Sequence, residues 1–159
     1  MARFKAGALH ILKKGVKRLT ETISILILTH GNLGRELINS AEMIYGATEN
    51  IITVPLLPGA SFEAYAEKVQ AALANLPGKV ILLTDLFGGT PNNIAMMLQA
   101  QRKVDVLCGI NLPVLIELIS LREIEPDLEK IEDHLIAAGK ESIKKIVPIS
   151  IDESILENF

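Results

Sequence analysis

A histidine and an aspartate in this sequence each follow an apolar, β-branched segment. His30 comes after residues 23–29, and Asp85 comes after residues 80–84. Such segments are typical of buried parallel strands, and open α/β sheets place their functional sites where those strands end. A carboxylate that accepts a hydrogen bond from one imidazole nitrogen leaves the other nitrogen unprotonated and nucleophilic. We therefore expect His30 and Asp85 to be catalytic residues.

Glycines follow both candidates, at the start of predicted helices. Glycine permits close approach of the backbone, and helix-start N–H groups together with a hydroxyl can hold the oxygens of an anion. Each signal alone is weak, because a single histidine is often structural and an aspartate often caps a helix. Together they indicate phosphoryl transfer through a phosphohistidine, with four residues expected to bind the phosphoryl group: Gly31, Gly88, Gly89 and Thr90.

Strands and helices alternate from residue 23 onward. The periodicity predicts strands at about 23–29, 51–56, 80–84 and 104–108, and helices at 33–46, 62–76, from 91 onward, at 112–121 and at 126–139. A final strand is predicted at 143–151. Alternation with short links implies parallel pairing with right-handed crossovers. We expect an α/β fold, doubly wound, with a mainly parallel sheet of four strands plus a C-terminal antiparallel strand, and helices on both faces.

Charge divides the chain into two parts. It carries 16 basic and 19 acidic residues, and residues 1–20 hold six of the basic ones and no acid. Residues 1–20 are therefore interpreted as a basic N-terminal extension, either an amphipathic surface helix or an upstream or non-native start, and residues 21–159 as one domain. An acidic body without Trp argues against a nucleic-acid partner.

Several other chemistries lack their residues. The sequence contains neither a P-loop nor a Gly-x-Gly-x-x-Gly motif, and His10, His134 and Cys108 have no metal-ligand spacing. We expect neither cofactor nor metal. No apolar run is long enough to span a bilayer, and a single cysteine fits a reducing compartment, so the expected location is cytoplasmic.

Three loops match, in order, a family pattern: Thr29-His30-Gly31, Asp85-Leu86-Phe87-Gly88-Gly89-Thr90-Pro91 and Cys108-Gly109-Ile110-Asn111-Leu112-Pro113. They resemble the IIA component of the mannose family of the bacterial phosphoenolpyruvate-dependent sugar phosphotransferase system. The resemblance covers about residues 23–150.

The resemblance implies specific roles. His30 would be phosphorylated through Nε2, Asp85 would bond its Nδ1, and Thr90 would contact the phosphoryl group. The donor would be the phosphocarrier protein HPr and the acceptor a IIB domain, which passes the group to sugar during import through the membrane components IIC and IID. Family members form homodimers that exchange the last strand, here 143–151. An apolar surface that docks the partners is expected at Leu33, Leu86 and Phe87.

Two departures and three alternatives accompany this interpretation. Gly34 stands where family members often have Ala, a change expected to be neutral, and no IIB domain follows residue 159, as in a free-standing IIA or a piece of a longer chain. The alternatives are the phosphocarrier subunit of dihydroxyacetone kinase, a regulatory module of the kind found in transcriptional activators, and a flavodoxin-like cofactor binder. A flavodoxin-like protein would need aromatic side chains beside its cofactor, and the chain has only four Phe and two Tyr.

Overall fold

A computed structural model describes residues 22–102 and 104–147, in which strands and helices alternate. The elements are β1 Ile23–His30, α1 Leu33–Tyr45, β2 Ile51–Leu56, α2 Phe62–Ala74, β3 Lys79–Thr84, α3 Thr90–Arg102, β4 Asp105–Cys108, α4 Leu112–Leu121 and α5 Leu128–Glu141. Their bounds lie within about two residues of the predicted ones, as is usual for pattern-based boundaries. Within the described ranges, no helix is both long and apolar enough to cross a membrane.

The four strands form one parallel sheet in the order β2-β1-β3-β4. The chain first moves outward from β1 to β2, then returns to the other side of β1 for β3 and β4. The direction of winding therefore reverses between β1 and β3. In open α/β sheets, the crevice beside such a reversal is the usual binding position. The carboxyl ends of β1 and β3, where His30 and Asp85 lie, border this crevice.

Helices cover both faces of the sheet. Ile25 and Ile27 of β1 face a core built with α1, α4 and α5, and Leu26 and Leu28 face a second core built with α2 and α3. All four side chains are fully buried. A strand buried on both faces needs apolar residues at successive positions, which explains the uninterrupted apolar run. The predicted doubly wound parallel sheet is confirmed.

The structure describes residues 143–147 of the predicted C-terminal strand, 143–151, and these residues do not form a strand. Residues 143–147 have no regular secondary structure, and the side chains of Ile143, Ile146 and Val147 are exposed. An apolar run becomes a strand only where another strand offers hydrogen-bonding groups, and these residues pair with none in the described chain. The remainder of the predicted strand, 148–151, and the N-terminal extension 1–20 lie outside the described residues.

Strand β2 forms one edge of the sheet and contains a proline. The N–H groups of Ile25 and Gly31 donate to the carbonyls of Asn50 and Leu56, each at 2.9 Å. Since alternate residues of a strand face the same neighbour, the even-numbered carbonyls of β2 face β1. Pro55 therefore lies among the positions that face away from β1. Its missing N–H removes no hydrogen bond from the sheet.

Gly34 in the first turn of α1 allows that helix to pack closely on β1 and β2. Its N–H donates to Thr29 Oγ1 at 2.9 Å. A Cβ at this position would collide with Thr53 Oγ1 and would lie 2.9 Å from Ile27 Cγ2. The expectation that glycine and alanine are interchangeable here therefore disagrees with the geometry.

We predict that Gly34→Ala lowers the free energy of unfolding by about 1–3 kcal/mol, because the added methyl overpacks the helix–sheet contact. Thr53→Ala should restore much of that loss, since it removes the colliding hydroxyl, which has no hydrogen-bond partner. Urea unfolding of the two single variants and the double variant measures the coupling. Additive effects of the two substitutions would contradict the proposed collision.

Candidate active site

Asp85 holds both the backbone and the imidazole of His30. Its Oδ2 accepts a hydrogen bond from the His30 backbone N–H at 2.8 Å and lies 3.0 Å from His30 Nδ1. Its Oδ1 accepts the backbone N–H of Leu86 at 2.9 Å. The His30 side chain is 47% exposed, whereas that of Asp85 is 12% exposed. The two residues that the strand ends were expected to bring together are thus in direct contact, with the ring open to solvent.

The charge of Asp85 determines which ring nitrogen is reactive. Burial alone would raise the pKa of Asp85, but the hydrogen bonds from the backbone and ring of His30, and that from Leu86, together lower it. The carboxylate is therefore ionised near neutral pH and can only accept hydrogen bonds. From this contact we assign the proton of the neutral imidazole to Nδ1. His30 Nε2 then carries the free lone pair.

Gly89 packs against the far side of the imidazole. A Cβ at Gly89 would lie 2.8 Å from His30 Cε1 and 3.4 Å from Nε2. Any larger residue would therefore displace the ring edge that carries Nε2. Gly88 has a φ of +78°, a backbone conformation that residues with a Cβ rarely adopt. Gly89 thus leaves the space beside the reactive nitrogen, whereas Gly88 is required by the backbone conformation of the turn.

The N–H groups of the three predicted phosphoryl-binding glycines already have acceptors within the protein. Gly31 donates to Leu56 O at 2.9 Å, Gly89 donates to Leu86 O at 3.2 Å, and Gly88 donates to the side-chain oxygen of Asn92 at 3.1 Å. The N–H group of Thr90 is in a different position, because Thr90 is the first residue of α3. The first turn of a helix leaves N–H groups without intrahelical partners, and such groups favour anions.

Two asparagines that were assigned no role in the sequence hold the turn after Asp85. Asn92 is almost fully buried, and its side chain joins Gly88 N–H to Thr84 Oγ1. Asn93 donates from Nδ2 to Gly88 O at 3.1 Å. The signal that could have revealed them is the placement of two amide side chains directly after the Gly-Gly-Thr-Pro segment, in the first turn of a helix.

Tyr65 lies beneath the site and was also assigned no role. Its ring is buried, and its hydroxyl donates to Val54 O at 2.8 Å. Burial, followed by the negative charge of Asp85, raises the pKa of Tyr65. The hydroxyl therefore stays protonated and acts as a donor.

Exposed apolar side chains are found on the loops and helix starts around the carboxyl edge of the sheet. Leu33, Leu86 and Phe87, which were expected to form a docking rim, are 45%, 61% and 79% exposed. Leu57 is 49% exposed and directly follows Leu56, the β2 residue that pairs with His30. We call these four residues the apolar rim.

Known proteins resemble this chain in both sequence and structure. The family model described as "PTS system fructose IIA component" matches residues 24–136. The fructose-specific EIIA component of Bacillus subtilis is 40% identical over 104 residues, which cover 64% of this chain and 71% of the relative. The mannose-specific EIIAB component of Escherichia coli K12 is 33% identical over 128 residues, covering 79% of this chain but only 40% of that relative.

A solved structure agrees with the sequence matches. The phosphotransferase system component EIIA of Streptococcus agalactiae superposes with a TM-score of 0.71 at 28% identity, covering 84% of this chain and 99% of its own. The class of protein is therefore a component of the sugar phosphotransferase system. Within that class, the chain belongs to the EIIA family of the mannose type, whose match includes both His30 and Asp85.

Proposed function

We propose that this protein is a phosphoryl carrier, which accepts a phosphoryl group from phospho-HPr on His30 Nε2 and passes it to a IIB domain for sugar uptake. The observation that carries the proposal is the double contact of Asp85 Oδ2, with the backbone N–H of His30 at 2.8 Å and with its Nδ1 at 3.0 Å. This contact orients the imidazole and leaves Nε2 as the nucleophile. The half-exposed ring is accessible to a protein donor.

In the proposed transfer, the lone pair of Nε2 forms a bond to phosphorus while the phosphorus–nitrogen bond of the HPr phosphohistidine breaks. The electron pair of the broken bond returns to the donor ring. His30 keeps its proton on Nδ1 and gains positive charge, which the Asp85 carboxylate stabilises at 3.0 Å. Transfer to IIB repeats the displacement with His30 as the leaving group. Catalysis then depends on positioning and electrostatics, as in other phosphoryl transfers.

Thr90 is the residue that we propose to contact the phosphoryl oxygens. Its hydroxyl and N–H lie at the start of α3, where the helix favours negative charge. Gly31, Gly88 and Gly89 belong to the same proposed phosphoryl site, but their N–H groups are bonded within the chain, and Gly89 is the one whose missing Cβ leaves room beside Nε2. Binding of the oxygens by their N–H groups would first require those bonds to break.

The apolar rim is the surface that we propose for docking HPr and IIB in turn, in the cytoplasm. Its four side chains offer exposed apolar area beside a polar site, as protein interfaces do at their centres. The IIB partner would hand the group to sugar at the membrane components IIC and IID. Exchange of the segment 143–151 within a homodimer remains part of the proposal, with residues 143–147 exposed and available for pairing.

Intact-mass measurement tests the proposed function. The purified protein is incubated with phosphoenolpyruvate, enzyme I and HPr, and a parallel sample lacks HPr. We expect the gain of one acid-labile phosphoryl group that depends on HPr, followed by its loss when a IIB domain is added. Absence of any gain, with the donors proven active on a known EIIA, would contradict the proposed function. A stable group that IIB cannot remove would favour a regulatory module instead.

A further inference from the structure

Two consecutive asparagines hold Gly88 through its N–H and its carbonyl. Asn92 Oδ1 accepts the N–H of Gly88, and Asn93 Nδ2 donates to its carbonyl, both at 3.1 Å. The other end of the Asn92 amide donates to Thr84 Oγ1 at 3.2 Å. Thr84 is fully buried in β3. The turn after β3 is therefore fastened to the sheet through the side chain of Asn92.

This turn contacts the His30 ring on two sides. Asp85 at its beginning binds Nδ1, and Gly89 at its end packs against the Cε1–Nε2 edge. Leu86 joins the two ends, since its N–H donates to Asp85 Oδ1 and its carbonyl accepts the N–H of Gly89. A displacement of Gly88 would therefore change the space on the reactive side of the imidazole. It would also disturb the residues that orient the carboxylate.

We infer that Asn92 and Asn93 are positioning residues for phosphoryl transfer at His30. Among the described residues, their side chains bond Gly88 and Thr84 and not the imidazole of His30. Their effect passes through the Gly88–Gly89 turn, which keeps Nε2 in one orientation. The inference rests on the proposed function for its kinetic consequence, whereas its structural consequence concerns the unphosphorylated protein alone.

The two residues should differ in how much the fold depends on them. Asn92 is 2% exposed, and its removal takes the hydrogen-bond partner from Thr84 Oγ1, which lies in the interior, as well as from Gly88 N–H. Asn93 is exposed, and its removal frees only one carbonyl that water can reach. Asn93→Ala therefore tests positioning with little risk to folding. Asn92→Asp is the conservative counterpart, because a carboxylate still accepts Gly88 N–H and can accept the Thr84 hydroxyl.

The test measures single-turnover phosphorylation by phospho-HPr at increasing donor concentration. We expect Asn93→Ala and Asn92→Ala to lower the maximal rate by about tenfold to a hundredfold, as misplacement of a reacting group does, with an unchanged half-saturating HPr concentration. Asn92→Asp should recover most of the rate. Asn75→Ala is the matched control, since Asn75 Nδ2 also donates to a backbone carbonyl, that of Ala71, at the distant end of α2.

A second readout does not require the reaction. In the wild-type protein, the proton on His30 Nδ1 should give a nitrogen-correlated NMR signal, because its bond to Asp85 slows exchange with water. The alanine variants should broaden or lose this signal, and Asn92→Asp should keep it.

Three outcomes would overturn the inference. Asn93→Ala and Asn92→Ala with wild-type rates and an unaltered Nδ1 proton would show that the asparagines do not position the ring. A raised half-saturating concentration with an unchanged maximal rate would assign them to docking. A signal lost equally in Asn75→Ala would reflect general destabilisation. Failure of the wild-type protein to accept phosphoryl would contradict the proposed function instead, and the NMR comparison would still decide the positioning.

Discussion

His30→Ala should abolish the HPr-dependent gain of phosphoryl, while His134→Ala should retain it fully. His30 alone among the described histidines has a carboxylate on Nδ1, a half-exposed ring and a glycine turn beside Nε2. His134 is also exposed, but its Nδ1 lies 2.8 Å from the carbonyl of Lys130 on its own helix. No carboxylate of the described residues forms an ion pair with it, and it is therefore a matched control for an accessible histidine.

The assay is intact mass before and after mild acid, because phosphohistidine is lost in acid whereas phosphoserine and phosphothreonine are retained. A phosphoryl group that persists in His30→Ala would contradict the assignment of the site. The phosphorylated residue would then be sought at His134 or at His10, which lies outside the described residues. Circular dichroism of the variant should match the wild type, since the imidazole is half exposed and its removal leaves no buried cavity.

Asp85→Asn should slow phosphorylation of His30 by about a hundredfold or more, the range seen when a histidine loses the carboxylate that orients it. Both oxygens of Asp85 accept backbone N–H groups, one from His30 and one from Leu86. An amide can offer an oxygen to only one of them, so its NH₂ must face the other donor. The variant also lacks the negative charge that stabilises the phosphorylated ring.

Single-turnover kinetics with phospho-HPr measure this effect, and Asp133→Asn is the control. Asp133 is an exposed aspartate of α5, so its substitution removes the same charge without touching the site. A rate for Asp85→Asn within about twofold of the wild type would mean that the carboxylate does not direct the ring. A loss of equal size in Asp133→Asn would assign the effect to net charge.

The stability of Asp85→Asn provides a second check through its pH dependence. The lowered pKa of Asp85 means that the folded state favours the ionised carboxyl. Its stabilising contribution is therefore present above the ordinary Asp value of about 3.9 and is lost as the pH falls through the lowered folded value. Wild type and Asp85→Asn should differ in free energy of unfolding near neutral pH, and the difference should shrink below about pH 4.

The parallel sheet could be predicted because a strand that is buried on both faces has apolar residues at successive positions. Ile25, Leu26, Ile81 and Leu82 are completely buried at successive positions of β1 and β3. Few structures other than a parallel strand covered by helices require such runs between helical segments. The same logic predicted that His30 and Asp85 lie together, since the carboxyl ends of neighbouring parallel strands share one edge.

The hydrogen bonds within the site could not be predicted in the same way. Whether a glycine N–H is free depends on which acceptor lies opposite, and Gly31 meets the carbonyl of Leu56 on another strand. The bridge made by Asn92 depends on the distance between α3 and Thr84, which packing determines. The collision site at Gly34 likewise depends on Thr53 of a different element. These are tertiary contacts, and local pattern carries no information on them.

The predicted final strand is not confirmed in the part of it that the structure describes, residues 143–147. Its apolar residues Ile143, Ile146 and Val147 do not alternate regularly with polar ones and are exposed, and the described chain supplies no neighbouring strand for them. Strand formation requires a partner edge, and a pattern indicates only the capacity to pair.

Pro55 makes the two edges of the sheet unequal as templates for further strands. It lies at a position of β2 that faces away from β1, so the outer side of β2 lacks one of the donors that an incoming strand would need. Residues 105–108 of β4 contain no proline, and in the described chain they pair only with β3. Among the described edges, β4 therefore offers an added strand its full set of N–H donors, whereas the outer side of β2 does not.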